Sequence, residues 1–142
     1  MAQLMTCDIV TPEGLLFSGE AEYISAPAAE GGIGFMYQCA PFMSTLKNGA
    51  VRVKKTMNGD AHTFAVGGGY VEVDGRKVVV LASHAIDMEK VDIAISQERI
   101  ELNEQRLAEL AEDDSRAVFV RQEIDWHRSL IELKQDENKG VV

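Results

Sequence analysis

The chain has 142 residues, 46% of them hydrophobic and 26% charged, and carries a net charge of −9. This is the composition of a soluble globular protein: one ordinary domain, or a small domain with an appendage. The acidic balance argues against nucleic-acid binding, because such a surface repels phosphate backbones. Direct membrane insertion is equally unexpected, since the longest aliphatic run, Val78-Val79-Val80-Leu81-Ala82, falls far short of the ~20 residues a bilayer requires.

The charge is uneven. Residues 1–84 hold eight acids against six bases, and residues 85–142 hold fifteen against eight. Most of the acidity therefore lies in the second part, either as a solvated helix face or as a surface steered toward basic partners. Cys7 and Cys39 are too few for a disulfide scaffold and lack a CxxC context, so they read as free structural thiols. The N-terminus has no basic region and no continuous apolar core, and Asp8 interrupts it. It does not read as a signal peptide, and a cytosolic compartment is expected.

Residues 1–84 read as short strands between turn signals. Met5, Cys7 and Ile9 alternate with polar neighbours before the turn Thr11-Pro12-Glu13-Gly14. Residues 15–17, 21–25 and 33–37 are the next candidate strands, separated by Ser18-Gly19-Glu20 and by Ala28-Ala29-Glu30-Gly31-Gly32. Val51 and Val53 alternate with Arg52 and Lys54 in a half-buried strand. Asn58-Gly59-Asp60 then turns the chain into residues 62–66, a strong hairpin signal. A second hairpin joins residues 70–73 to 77–82 through Asp74-Gly75. Short strands at intervals of about ten residues indicate an all-β sandwich or barrel.

The pattern changes at residues 83–90, where the apolar period lengthens from two to between three and four. Residues 88–111 read as one helix, Glu112-Asp113-Asp114 as a bend, and residues 115–134 as a second helix capped by Ser115. Residues 135–142 read as a frayed tail. Three parts are expected: a β domain over 1–84, a two-helix arm over 88–134, and the tail.

The arm carries more apolar surface than one docking face needs. Ile93, Ile100, Leu107 and Ala111 share one side of the first helix, while Val91, Ile95 and Leu102 fall near the opposite side. In the second helix, Ala117, Val120, Ile124, His127 and Ile131 form one stripe, and Phe119, Trp126, Leu130 and Leu133 another. A surface helix normally needs one stripe. The two helices can cover one stripe each, and the remainder must meet the first domain or another protein.

No constellation of catalytic residues emerges. His62, His84 and His127 lack cysteines or carboxylates at a metal-ligand spacing. Gly67-Gly68-Gly69 is followed by neither Lys-Ser/Thr nor a helix, so close backbone packing or a bulge explains it better than a phosphate cradle. The residues so far leave two readings: a free-standing adaptor presenting a helical hairpin, and a small enzyme, for which no residues argue.

The ordered fragments bring in a third. Asp8-Ile9-Val10-Thr11-Pro12-Glu13-Gly14, Leu16-Phe17-Ser18-Gly19-Glu20, Glu30-Gly31-Gly32-Ile33-Gly34, Ala40-Pro41-Phe42, Leu46-Lys47-Asn48-Gly49-Ala50-Val51-Arg52-Val53, Gly68-Gly69-Tyr70-Val71-Glu72-Val73 and the Val78–Ala82 run precede a helical hairpin. In that order they resemble the epsilon subunit of bacterial F-type ATP synthases, called delta in mitochondria. The resemblance implies a ten-stranded β-sandwich followed by two antiparallel helices, with no active site of its own. It implies a sandwich bound to the gamma subunit and seated on the c-subunit ring, turning with the rotor of a proton-driven complex. It also implies a mobile arm that packs on the sandwich or extends beside gamma into the alpha-beta hexamer, opposing ATP hydrolysis. The location implied is the cytoplasmic face of the bacterial plasma membrane.

Under this resemblance the partner-binding residues are Glu30, Gly31, Gly32, Ile33, Cys39, Ala40, Pro41 and Phe42 on the sandwich, and Phe119, Trp126, Leu130 and Leu133 on the arm. The chain departs from the family pattern at Gly32, where an acid is usual, and at Cys39, where a histidine precedes Ala-Pro. The first helix of several bacterial members opens with the nucleotide motif Ile/Leu-Asp-x-x-Arg-Ala; the aligned residues are Val91-Asp92-Ile93-Ala94-Ile95-Ser96. Asp92 remains, but Ile95 replaces the arginine, and an aliphatic side chain makes no charge-assisted bond to phosphate. No cofactor and little or no ATP binding are expected.

Overall fold

The computed structural model describes residues 3–140. The chain divides after Met88 into two compact units. The first is built of eight strands: β1 (Met5–Thr11), β2 (Gly14–Ala21), β3 (Tyr23–Ala28), β4 (Gly31–Phe35), β5 (Phe42–Thr45), β6 (Gly49–Lys54), β7 (Ala61–Val73) and β8 (Lys77–Asp87). The second holds a single 3-10 turn's end and two helices, α1 (Ile93–Ala108) and α2 (Ser115–Asn138).

The strands follow the hydrogen-bonded path β2-β1-β8-β7-β6-β3-β4, with β5 added to β7. β7 pairs with β6 through residues 61–66 and with β5 through residues 70–73. β8 lies parallel to β1 through residues 77–81 and antiparallel to β7 along almost its whole length. β7 and β8 therefore pass from one layer of the sandwich to the other. Eight continuous strands do the work of the ten expected, because these two each contribute to both layers.

The passage of β7 between layers explains the glycine triplet. Gly68 and Gly69 have φ of +63° and +131°, and a Cβ on Gly69 would lie 1.8 Å from the Leu81 carbonyl oxygen. Only glycine permits both the left-handed backbone and the approach of β8. The two strands expected on either side of the triplet are one strand.

The core has the alternation that the sequence predicts. Met5, Cys7 and Ile9 of β1 are fully buried, as are Ile24 of β3, Val51 of β6 and Val66 and Val71 of β7. Each such side chain contributes roughly 1.5–3 kcal/mol through removal from water. At the β7–β8 turn, Asp74 Oδ1 accepts from the Arg76 and Lys77 N–H groups at 2.8 and 2.9 Å, and Gly75 has φ +94°. Those backbone bonds hold the Asp74 carboxyl below the usual carboxylate range.

Four local expectations are corrected. Ser18-Gly19-Glu20 is not a turn but the second half of β2. Ser18 Oγ donates to Asp8 Oδ1 on β1 at 2.6 Å, so polar side chains there reflect the outer face of an end strand. β5 was not apparent because none of its four residues is buried. β8 continues past residue 84 to Asp87, followed by the 3-10 turn Met88–Lys90. Finally, α2 runs to Asn138, through half of the expected tail, and Val141 and Val142 of that tail lie outside the described residues.

The helices begin at aspartates. Asp92 caps α1, its carboxylate accepting from the Ala94 N–H at 2.9 Å. Asp114, rather than Ser115, caps α2: its Oδ1 accepts from the Arg116 N–H at 2.9 Å, and the Arg116 guanidinium bonds the same carboxylate. Hydrogen bonds from the side chain and backbone of Arg116 lower the Asp114 pKa to about 2. Across the hairpin, Arg128 pairs with Glu104 at 3.2 Å.

Candidate functional site

Two surfaces of the sandwich and one of the arm carry exposed apolar residues. The first is the tip of the β3–β4 hairpin. Ala28, Ala29, Glu30, Gly31, Gly32 and Ile33 face Phe42, Met43 and Ser44 of β5 across a shallow cleft of about 460 Å³. The Ala29 N–H donates to Ser44 Oγ at 3.1 Å, tying the tip to β5, and the Phe35 and Phe42 rings lie 5.7 Å apart. The structure thus brings together Glu30, Gly31, Gly32, Ile33 and Phe42 from the expected set. Gly31 has φ +132°, which favours glycine, whereas a Cβ on Gly32 would meet nothing within 4 Å. The position where the family pattern has an acid is open to a side chain.

Cys39, Ala40 and Pro41 do not line that cleft. They sit on the connection from β4 to β5, against the β7–β8 turn. The Gln38 N–H donates to the Gly75 carbonyl at 2.7 Å and the Cys39 N–H to the Met36 carbonyl at 3.0 Å. Gln38 takes φ +65° to do so, and a Cβ on Gly75 would approach the Cys39 carbonyl oxygen to 2.9 Å. Cys39 is half-buried while Ala40 and Pro41 are exposed. Cys7, in contrast, is enclosed by the core, and burial pushes its thiol up to about 12. It is an inert packing residue.

The second surface was not foreseen. Cross-strand pairing sets Thr45 beside Tyr70, Tyr70 beside Leu81, Leu81 beside Val10, and Val10 beside Leu15. These five residues form one row across β5, β7, β8, β1 and β2. Leu15 is 62% exposed and Tyr70 54%, and Leu81 is also exposed. Met43 and Val79 lie in the adjoining row with Glu72 and Asp8. Asp8 pairs with Lys77 at 2.9 Å, and its hydrogen bonds to Ser18 and Lys77 lower its pKa. The only sequence signal was Tyr70, out of step with buried Val71 and Val73. Leu81 was hidden in an aliphatic run that reads as wholly buried.

On the arm, the expected second stripe is divided. Phe119 is 69% exposed, Leu133 is half-buried and Leu130 is buried. Trp126 is only 6% exposed and lines a cleft of about 440 Å³ between α1 and α2 with Arg99, Leu102, Asn103, Arg106, Glu123 and His127. Among the described residues, the exposed large apolar side chains of the arm are Ile95 and Leu102 on α1 with Val118 and Phe119 on α2. Ile95 and Leu102 are seven residues apart and share a face. Among the described residues, no cluster of His, Cys, Asp or Glu has the geometry to hold a metal, and no helix is long and apolar enough to cross a membrane.

Known proteins share this arrangement. The beta-sandwich domain of the ATP synthase delta/epsilon chain matches residues 4–88. The chain is 36% identical over 138 residues to ATP synthase epsilon chain 1 of Methylococcus capsulatus, covering 97% of this chain and 96% of that one. It is 34% identical over 139 residues to the ATP synthase epsilon chain of Desulforamulus reducens, covering 98% and 96%. Among solved structures, a chain of the Euglena gracilis mitochondrial ATP synthase OSCP/F1/c-ring assembly superimposes with a TM-score of 0.65 at 13% identity, covering 98% of this chain and 82% of that one. A chain of the Tetrahymena thermophila central stalk and c-ring superimposes with a TM-score of 0.55 at 14% identity, covering 99% and 98%. These two likenesses are of fold. With the β-sandwich matched throughout and full-length relatives above 30% identity, the chain belongs to the delta/epsilon chain family of ATP synthases.

Proposed function

We propose that this chain is a non-catalytic subunit of the ATP synthase central stalk, linking gamma to the c-subunit ring and restraining ATP hydrolysis through its helical arm. The observation that carries the reading is the pair of separate exposed surfaces on one sandwich. The row through Leu15, Leu81 and Tyr70 is the gamma-facing surface, since an exposed apolar strip of this kind marks a protein contact. The cleft at Glu30, Ile33 and Phe42 faces the ring, with Glu30 supplying the carboxylate that Gly32 lacks. A rotor link needs two such faces; an adaptor for one partner needs one. On this reading the protein is peripheral, at the cytoplasmic face of the bacterial plasma membrane, and Ile95, Leu102 and Phe119 meet the alpha and beta subunits when the arm is extended.

Co-purification tests the assignment: gamma and c subunits are expected to accompany the full chain, and their absence would leave the free-standing adaptor. Inhibition is tested by truncation. Because β8 reaches Asp87, the cut belongs after Met88 rather than at residue 83, where it would remove a paired strand end. The shortened chain is expected to assemble and to raise hydrolysis several-fold; unchanged hydrolysis would remove the arm's inhibitory role.

The reading includes little or no binding of ATP by this subunit. Asp92 is engaged as the α1 cap, and exposed Ile95 offers no charge-assisted bond. Arg99 and Arg106 flank the hairpin cleft without restoring the motif arginine. Equilibrium dialysis with the isolated subunit is expected to show no micromolar affinity, and such an affinity would refute this part.

A further inference from the structure

One carboxylate stands inside the apolar surface that the sandwich turns toward gamma. Glu72 lies two residues beyond Tyr70 on β7, so the two side chains share a face, about 7 Å apart along the strand. Its direct cross-strand neighbours are Met43 on β5 and Val79 on β8, and side chains so opposed sit about 5 Å apart. Met43 is 65% exposed, so the apolar strip continues past the carboxylate instead of ending at it. Glu72 is itself exposed, and its side chain makes no ion pair or hydrogen bond among the described residues.

The neighbouring acids are answered within the sandwich or lie at its rim. Asp8, in the same row one strand past Val79, is held by Lys77 at 2.9 Å and by Ser18 at 2.6 Å. Asp74, at the β7–β8 turn, accepts from the Arg76 and Lys77 N–H groups. Glu20 pairs with Thr6, which pairs with Lys77, and this row is two away from the one through Leu81. On the other side of the apolar row Gly68 faces Ser83, and neither carries charge. Of these acids only Glu72 is both unpaired and flanked by apolar side chains.

We propose that gamma brings a lysine or arginine to Glu72, and that this charge pair fixes how gamma sits on the sandwich. The inference rests on the assignment of the apolar row to gamma made above. Covering Tyr70 and Met43 removes water from the carboxylate between them. A carboxylate stripped of water without a partner opposes association. One met by a cation gains a charge-assisted bond, and it rejects neutral or acidic surfaces. Asp8 asks nothing of the partner, because Lys77 and Ser18 already hold it. The complementary surface is therefore apolar over Leu81 and Leu15 and cationic at its β5 end.

The test is calorimetric titration of the full chain with purified gamma at low and at high salt, with circular dichroism to establish that each variant is folded. Wild-type affinity is expected to fall as salt is raised. Glu72→Gln is expected to weaken binding about tenfold or more at low salt and to lessen the salt dependence, and Glu72→Lys to weaken it about a hundredfold or more. Glu20→Gln, at the wetter rim, is expected to stay within about twofold of wild type. Binding by Glu72→Gln as tight as wild type would overturn the proposal, as would an equal loss in Glu20→Gln; either result leaves the row as the gamma surface. Failure of wild type to bind gamma, or unchanged binding by Tyr70→Ser, would overturn the assignment of the row and the charge pair with it.

Discussion

The two halves of the chain are held together in different ways. The sandwich encloses a continuous apolar core from both layers, with Met5, Ile9, Ile24, Val51 and Val80 fully removed from water. The arm has no comparable interior: the buried residues of α1 are Ser96 and Asn103, and those of α2 are Ala117, Ile124, Trp126 and Leu130. At the same time α1 keeps Ile95 and Leu102 outside. Burying a serine and an asparagine contributes far less than burying two aliphatics, because apolar area drives the gain. The sandwich therefore draws more of its stability from apolar burial than the hairpin does. The difference is what the proposed function requires: a scaffold that holds its shape and an arm that trades surfaces.

The comparison is most directly broken by emptying one position in each half. Ile24→Ala is expected to cost the sandwich about 2–5 kcal/mol, as a large-to-small change in a closed core does, and to lower the global unfolding midpoint in urea. Ile124→Ala is expected to reduce helicity while leaving the sandwich transition in place. A single transition shifted equally by both would show that the halves unfold as one unit.

A smaller effect on stability, with a large effect on association, is expected at the exposed apolar positions. Tyr70→Ser and Phe119→Ser should each change the unfolding free energy by no more than about 0.5 kcal/mol, since neither side chain fills a core. If the row on the sandwich docks gamma, Tyr70→Ser should weaken that association by about 2 kcal/mol, or some thirtyfold, as aromatic anchors do. Phe119→Ser should leave gamma binding intact and relieve inhibition instead. Calorimetry with purified gamma and a hydrolysis assay of the assembled complex separate the two, and loss of gamma binding in both variants would remove the division of labour.

The smallest effect concerns the start of α2. The Asp114 carboxyl lies below its ordinary value, at about 2, through its bonds to Arg116. A group lowered on folding stabilises the folded form above its unfolded pKa, and that contribution is lost as pH falls toward the folded value. The α2 cap is therefore expected to hold down to about pH 4 and to release between pH 4 and pH 2. Backbone chemical shifts of residues 115–117 report it, and Asp114→Ala should show the released state at neutral pH.

Much of this architecture was legible because alternation and turn chemistry are local. Met5, Cys7 and Ile9 announced β1, and Asp74-Gly75 announced its hairpin with a mechanism that the hydrogen bonds repeat. The failures also have local causes. β2 was cut short because an end strand shows polar residues on its outer face, and β5 was passed over because it buries none of its four. The glycine triplet read as an interruption, although it lets a single strand cross between layers. At the tip, Glu30, Ile33 and Phe42 were named together, and they converge on one cleft. Trp126, expected on the second apolar stripe, lies buried in the cleft between α1 and α2, since a helical stripe does not say which of two apolar faces will be covered.

The sequence by itself determined the class of each half, because hydrophobic period is a property of neighbouring residues, and ordered fragments across most of the chain pointed to the family. Only the tertiary structure decided which apolar residues face outward. The row from Thr45 through Tyr70, Leu81 and Val10 to Leu15 joins five strands from distant parts of the chain. It exists through register, which is set by the packing of the whole sheet and by no single strand.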